Sequence, residues 1–239
     1  MVSPECRAVT EAEWIAFFRR PEIPALNPKM LEHPDADLPR LVFADWVEEN
    51  CPHTPFVMAL RRSIANPDIP EWVPNFSMVV KGHELRLWRG RLEVGIDMSD
   101  PEYDMWFDPC VRAAAESGWV GRFKCRGIGE RTTGSSAAFS QLQRDKLEWI
   151  DLFNANIDTY RLRTLLWRPD ATELASLTTL DLRLNTFDDY GAQVIAEAAL
   201  GGLKTLRLTD SALTDTGRQR LANSKTLPEH IRARFRRPA

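Results

Sequence analysis

The residues of this chain that could carry out covalent or metal chemistry are few and scattered. Four cysteines (Cys6, Cys51, Cys110 and Cys125) and four histidines (His33, His53, His83 and His230) are spread over 239 residues, with no CxxC pair and no triad spacing. Cys51 and His53 would supply two ligands where a zinc site needs about four. Cys110 is a thiol that could attack a substrate, but a nucleophile needs a base beside it and the sequence identifies none. GERTTGSS, from Gly129 to Ser136, has the glycine spacing of a phosphate loop of the form GxxxxGK[ST], yet Ser135 stands where the phosphate-reaching lysine belongs. The expectation is no catalytic residue, no metal and no cofactor, with 129–136 a surface loop.

The chemistry left is recognition. A net charge of −3 argues against general polyanion binding, and apolar and charged contents of 44% and 27% are ordinary for a globular chain. Seven basic residues between Arg218 and Arg237 face one acid, Glu229, so nucleic acid or an acidic partner is an alternative ligand for this tail. Leu227, Ile231 and Phe235 recur there every four residues, which favours an amphipathic terminal cap with a solvated basic face. The thiols read as free, as in a reducing cytosol. No apolar run has the length of a signal-peptide core or a membrane span, so a cytoplasmic location is expected.

The elements that must position such residues are legible near the C-terminus. Leu177, Leu180, Leu182, Gly191 and Ala196 recur as Leu203, Leu206, Leu208, Gly217 and Ala222, each 26 residues on. An LxxLxL frame at fixed period is a leucine-rich repeat, with one short strand and one helix per unit. Leu147, Ile150 and Leu152 fit the same frame, as do Val120, Phe123 and Cys125, giving spacings of 27, 30 and 26 residues. Val94 and Ile96 are candidates for a fifth, degenerate strand. One unit cannot bury its own apolar face, so several must stack. Asp189 and Asp215 are candidate helix caps, Gly191 and Gly217 allow close approach, and Asn185 sits where a side chain can bond neighbouring turns. Its equivalents, Ala155 and Ser211, leave that ladder incomplete. Repeats this long resemble the ribonuclease-inhibitor-like class, which implies an α/β solenoid of about four to five units.

In such an arc the residues between the leucines alternate outward onto the concave face. The predicted positions are Arg122, Lys124 and Arg126; Trp149, Asp151 and Phe153; Thr179, Asp181 and Arg183; and Thr205, Arg207 and Thr209. Exposed aromatics and arginines supply interface hot spots, so a protein or peptide partner is expected here. The competing expectation is that Trp149 and Phe153 pack under a neighbouring segment.

The N-terminal part reads as helical. Thr10 and Glu13 form a capping box before WIAFFRR, and Pro21, Pro24 and Pro28 argue against one continuous helix. A helix is expected from about Asp37 to Glu49, burying Leu41, Val42 and Trp46, with Arg40 available to a carboxylate; FVMALRR begins another. Three prolines in NPDIPEWVPN mark a boundary. SMVV–KGH–ELRLW reads as a hairpin and RGRLEVGIDM as an alternating strand. The segment DADLPRLVFADWVEEN, Asp35 to Asn50, resembles the repeat-companion domain that precedes leucine-rich repeats in planctomycete-type bacteria, nearly residue for residue from Pro39 to Glu49. That resemblance implies a bacterial protein with a small helical module docked ahead of repeats, and no activity. The whole reads as a helical module at 1–72, a repeat arc with an N-terminal hairpin at 73–225 and a basic cap or tail at 226–239: a non-enzymatic interaction protein of unspecified oligomeric state.

Overall fold

The computed structural model describes residues 10–32, 36–51, 54–72, 83–97, 109–126, 146–166, 174, 176–209 and 213–236. The chain divides into two compact units, residues 1–96 with 106–122 and residues 97–105 with 123–239. Residues 83–96 fall in the first unit with the N-terminal helices.

The first unit opens with α1 (Glu11–Phe18), α2 (Glu22–Glu32), α3 (Leu38–Asn50) and α4 (Thr54–Ala65). The capping box forms: Glu13 N donates to Thr10 Oγ1 at 3.3 Å, and Thr10 N donates to Glu13 Oε2 at 2.8 Å. The helix breaks after Phe18 and the chain coils again from Glu22. Pro24 falls in the first turn of α2, where its missing N–H has no partner to lose, and only Pro28 lies inside that helix. α3 is rotated from the expected face. Arg40, Phe43, Ala44 and Val47 are buried, Trp46 is half-buried, and Leu41 and Val42 are 40% and 50% exposed. Arg40 reaches two carbonyls, its Nε donating to Arg89 O at 2.7 Å and its Nη1 to Ala36 O at 2.5 Å. Asp45 is met instead by Arg61, at 2.7 Å.

These helices enclose an aromatic cluster. Trp119 is fully buried, 4.7 Å from the Phe43 ring and 5.6 Å from Phe56, and its indole N–H donates to Gly90 O at 2.8 Å. Gly90 belongs to a hairpin of β2 (His83–Trp88) and β3 (Arg91–Asp97), beside which β1 (Glu71–Trp72) lies antiparallel to β2. The turn between β2 and β3 is Arg89–Gly90, with φ of 44° and 77°; Lys81 and Gly82 of the expected KGH turn lie outside the described residues. Two successive positive φ values match the right-handed twist of the flanking strands. SMVV lies outside the described residues. α5 (Pro109–Glu116) and the start of β4 (Val120–Arg126) complete this unit.

The second unit continues through β4, β5 (Trp149–Asp151), β6 (Thr179–Asp181) and β7 (Thr205–Arg207), in that order. β5, β6 and β7 are parallel and in register, with Ile150 beside Leu180 and Leu180 beside Leu206. α6 (Thr159–Leu166), α7 (Asp189–Glu197) and α8 (Asp215–Ala222) follow these strands in turn, and α9 (Glu229–Phe235) ends the described chain. The frame residues Leu147, Ile150, Leu152, Leu177, Leu180, Leu182, Leu203, Leu206 and Leu208 are all buried, as is Cys125 in its leucine slot. Each buried leucine contributes about 2 kcal/mol of transfer free energy.

Polar side chains set the spacing between units. Asn185 Oδ1 accepts from Ala155 N at 3.1 Å and Ile157 N at 2.9 Å, while its amide donates to Leu152 O at 2.7 Å and Leu182 O at 2.9 Å. The helix caps fall one residue before those expected: Asp188 caps α7 and Thr214 caps α8. An N-cap needs extended backbone, which Asp188 and Thr214 adopt, whereas Asp189 and Asp215 are already helical. Asp189 is thereby free to accept from Thr214 N at 3.0 Å and from the Thr214 hydroxyl, and Asp188 also accepts from Thr159 Oγ1 at 2.9 Å. The Asp188–Asp189 pair thus ties three successive helices together. Gly191 has no room for a side chain, since a Cβ there would lie 2.6 Å from Phe187 Cβ.

Candidate functional site

Alternation along three in-register strands places two rows on the outward side of the second unit's sheet. Asp151, Asp181 and Arg207 form one, and Trp149, Thr179 and Thr205 the other. Immediately after the strands come Phe153, Arg183 and Thr209. At the centre is Asp181. Its carboxylate receives Arg183 Nε at 3.0 Å, Arg183 Nη2 at 2.7 Å and Arg207 Nη1 at 3.4 Å. Arg183 also lies over the Phe153 ring, 5.2 Å from its centroid. The Asp181 side chain is 4% exposed, while those of Arg183 and Arg207 are 44% and 46% exposed.

Burial pushes the Asp181 carboxyl up, but the hydrogen bonds from Arg183, with Arg207 adding to them, outweigh burial and hold it below the ordinary aspartate range. The same bond raises the Arg183 guanidinium above its usual value. The cluster is therefore a buried anion clasping two half-exposed cations.

The outward set is less uniform than expected. Thr179 and Asp181 are not surface residues: they are 8% and 3% exposed, because Asp181 lies beneath the two arginines and Thr179 is in the central strand, flanked on both sides. Thr209 supports a turn, its Oγ1 accepting from Leu184 N at 2.6 Å. Trp149, Asp151, Phe153, Lys124 and Thr205 are half-buried, and Arg126 and Arg207 are exposed. Arg122 belongs to the first unit, with its guanidinium 3.9 Å above the Trp88 ring.

Leu184 was missed. It is 54% exposed and holds a left-handed φ of 57°, as Asn154 does 30 residues earlier with φ 52°. Asparagine is one of the few residues that tolerate this conformation. Its replacement by leucine at the equivalent turn was the available signal.

The basic tail is engaged in holding the chain end. Leu227, Ile231 and Phe235 are buried. Arg234 Nη1 donates to Leu206 O at 2.6 Å and His230 Nε2 contacts Lys204 O at 3.0 Å, so α9 covers carbonyls on the open side of β7. Arg232 and Arg236 both pair with Glu229. Among the remaining candidates for chemistry, residues 129–136, His33 and His53 lie outside the described residues, and Cys51 is half-buried. Among the described residues no group of three or more His, Cys, Asp or Glu converges as a metal site, and no helix is long and apolar enough to cross a membrane.

One family matches. The family described as Leucine Rich repeat covers residues 173–196, the unit holding β6, Asn185 and α7. No curated protein and no solved structure matches the chain. The matched stretch contains both Asp181 and Arg183, so the centre of the outward cluster lies within the repeat itself.

Proposed function

We propose that this chain is a non-enzymatic protein-interaction module whose strand–helix units form a short leucine-rich repeat arc, with a partner bound on the outward strand face of the second unit. The observation that carries this reading is the cluster of Phe153, Arg183 and Arg207, presented from adjacent elements at fixed spacing by a buried Asp181. Aromatic and arginine side chains are the types that dominate interface energetics. Strands locked in register lower the ordering cost of binding, since the side chains are already placed. The repeat match at residues 173–196 supports an interaction role of this general kind.

The test is affinity capture from a lysate of the native host, using the full chain and its Phe153→Ala/Arg207→Ala variant. A protein retained by wild type and lost by the variant, at unchanged melting temperature, supports the proposal. Capture that is indifferent to the variant, or recovery of nucleic acid that salt releases, overturns it in favour of another surface.

A further inference from the structure

Resting on that reading of the strand face, we propose that Arg183 and Arg207 form a carboxylate-recognition site for an acidic peptide segment: an aspartate or glutamate of the partner bridges the two guanidiniums, and a neighbouring apolar residue covers Phe153 and Leu184.

The first argument is the donor inventory. A guanidinium carries five N–H donors in a planar fork. Arg183 spends Nε and Nη2 on Asp181, and its Nη1 has no hydrogen-bond partner among the described residues. Among the described residues the Arg207 side chain makes one long bond, Nη1 to Asp181 at 3.4 Å, and its Nε and Nη2 have no partner there. Asp181 clasps both from the buried side, so the unspent donors belong to side chains that are nearly half exposed. Planar donor forks match the two oxygens of a carboxylate better than any neutral group.

The second argument is charge. Over the outward face of this unit Lys124, Arg126, Arg183 and Arg207 stand against Asp151 and Asp181, an excess of cations on a chain whose net charge is −3. That excess draws an acidic segment toward this face.

The third is Leu184. It exposes its side chain at the turn next to Arg183 and holds a backbone conformation that leucine disfavours, with its N–H pinned to Thr209. An exposed apolar side chain kept at a strained position is justified by burial against something apolar. Phe153, half-buried beneath the guanidinium of Arg183, is a second apolar side chain beside that arginine.

The experiment pans a phage-displayed random peptide library on the full-length protein. One enriched peptide is synthesised with its acidic residue and with the isosteric amide. Affinities are measured for wild type, Arg207→Gln, Leu184→Asn and Phe153→Ala. The expected consensus is Asp or Glu beside an apolar residue. Amidation of the peptide or Arg207→Gln should each weaken binding about tenfold, and the two together little more than either alone. Leu184→Asn should weaken binding while raising the melting temperature, a combination that a merely structural leucine would not give. Enriched peptides without an acid, or equal binding of acid and amide, overturn the carboxylate site. If such peptides still depend on Phe153, the strand-face reading survives. Peptides indifferent to Phe153→Ala, or no enrichment at all, overturn both.

Discussion

Replacing Asn185 by alanine tests whether one side chain holds two repeat turns together. Asn185 is 6% exposed, and its amide bridges the turn after β5 and the turn after β6. Not every bond it makes would be missed equally. Ala155 N and Leu152 O also bond one another at 3.2 Å, so each keeps a partner. Ile157 N and Leu182 O have no other partner among the described residues and would be orphaned. An unsatisfied buried polar group costs about 1–3 kcal/mol, so two of them put Asn185→Ala at about 2–6 kcal/mol, less whatever an entering water recovers. In a chain of this size that lowers the melting temperature by roughly 4–24 °C. Asn185→Asp should be no better: it keeps the acceptor but turns a carboxylate oxygen toward the Leu152 and Leu182 carbonyls. The assay is urea denaturation followed by far-ultraviolet circular dichroism, paired with hydrogen exchange at the Ile157 amide. Gln193→Ala, which removes only the surface bond to Glu197, serves as the control. A loss below about 0.5 kcal/mol for Asn185→Ala, within the range of ordinary surface substitutions, or an unchanged Ile157 exchange rate, would refute the reasoning.

Other expectations follow from single contacts. Gly191→Ala should destabilise by about 1–3 kcal/mol despite alanine's higher helix propensity, because the new methyl meets the root of the Phe187 side chain; a more stable variant in thermal melts would contradict the geometry. Leu184→Asn should stabilise by about 1 kcal/mol by matching residue type to a left-handed backbone; an unchanged or lower melting temperature would count against that. Acid should weaken the second unit. The carboxyls of Asp181, Asp188 and Asp189 all lie below their ordinary value: Arg183 outweighs burial at Asp181, the Gly191 amide leads at Asp188, and the Thr214 hydroxyl leads at Asp189. An unfolded aspartate titrates near about 3.9, so below that range the unfolded chain binds more protons than the folded one. Stability is then fully present above about pH 5 and is lost as pH falls through the folded values. Urea midpoints measured from pH 7 to pH 3 should decline on the acid side, and more shallowly in Asp188→Asn; a flat profile would remove these carboxylates from the account.

The alternation of strand and helix in the second unit was legible because its cause is local and periodic. Leucines at fixed spacing must be buried, a strand alternates its faces, and the asparagine slot after the second strand serves whichever turn lies beside it. The sequence therefore determined that parallel strands and helices alternate from Leu147 onward, and that Leu180 and Leu206 share a core. It also determined that α1 starts after Thr10, since a capping box involves residues only three apart.

What only the tertiary structure decided depends on neighbours remote in sequence. α3 carries apolar residues around much of its circumference, so periodicity could not choose a face; packing against the ring of Trp119 selects Phe43 and leaves Leu41 and Val42 outside. Arg89–Gly90 became the hairpin turn because Ser63 Oγ accepts from Gly90 N at 3.1 Å and Arg40 reaches Arg89 O, both from helices earlier in the chain. Strand alternation assigned Asp181 and Arg207 to the same face, and that was correct. Which of them is surface was not decided by alternation: registering β6 beside β7 sets Asp181 opposite Arg207, and two guanidiniums then close over one carboxylate. A pattern along one strand fixes the direction in which a side chain points; whether it remains in water is fixed by what the next strand brings to meet it.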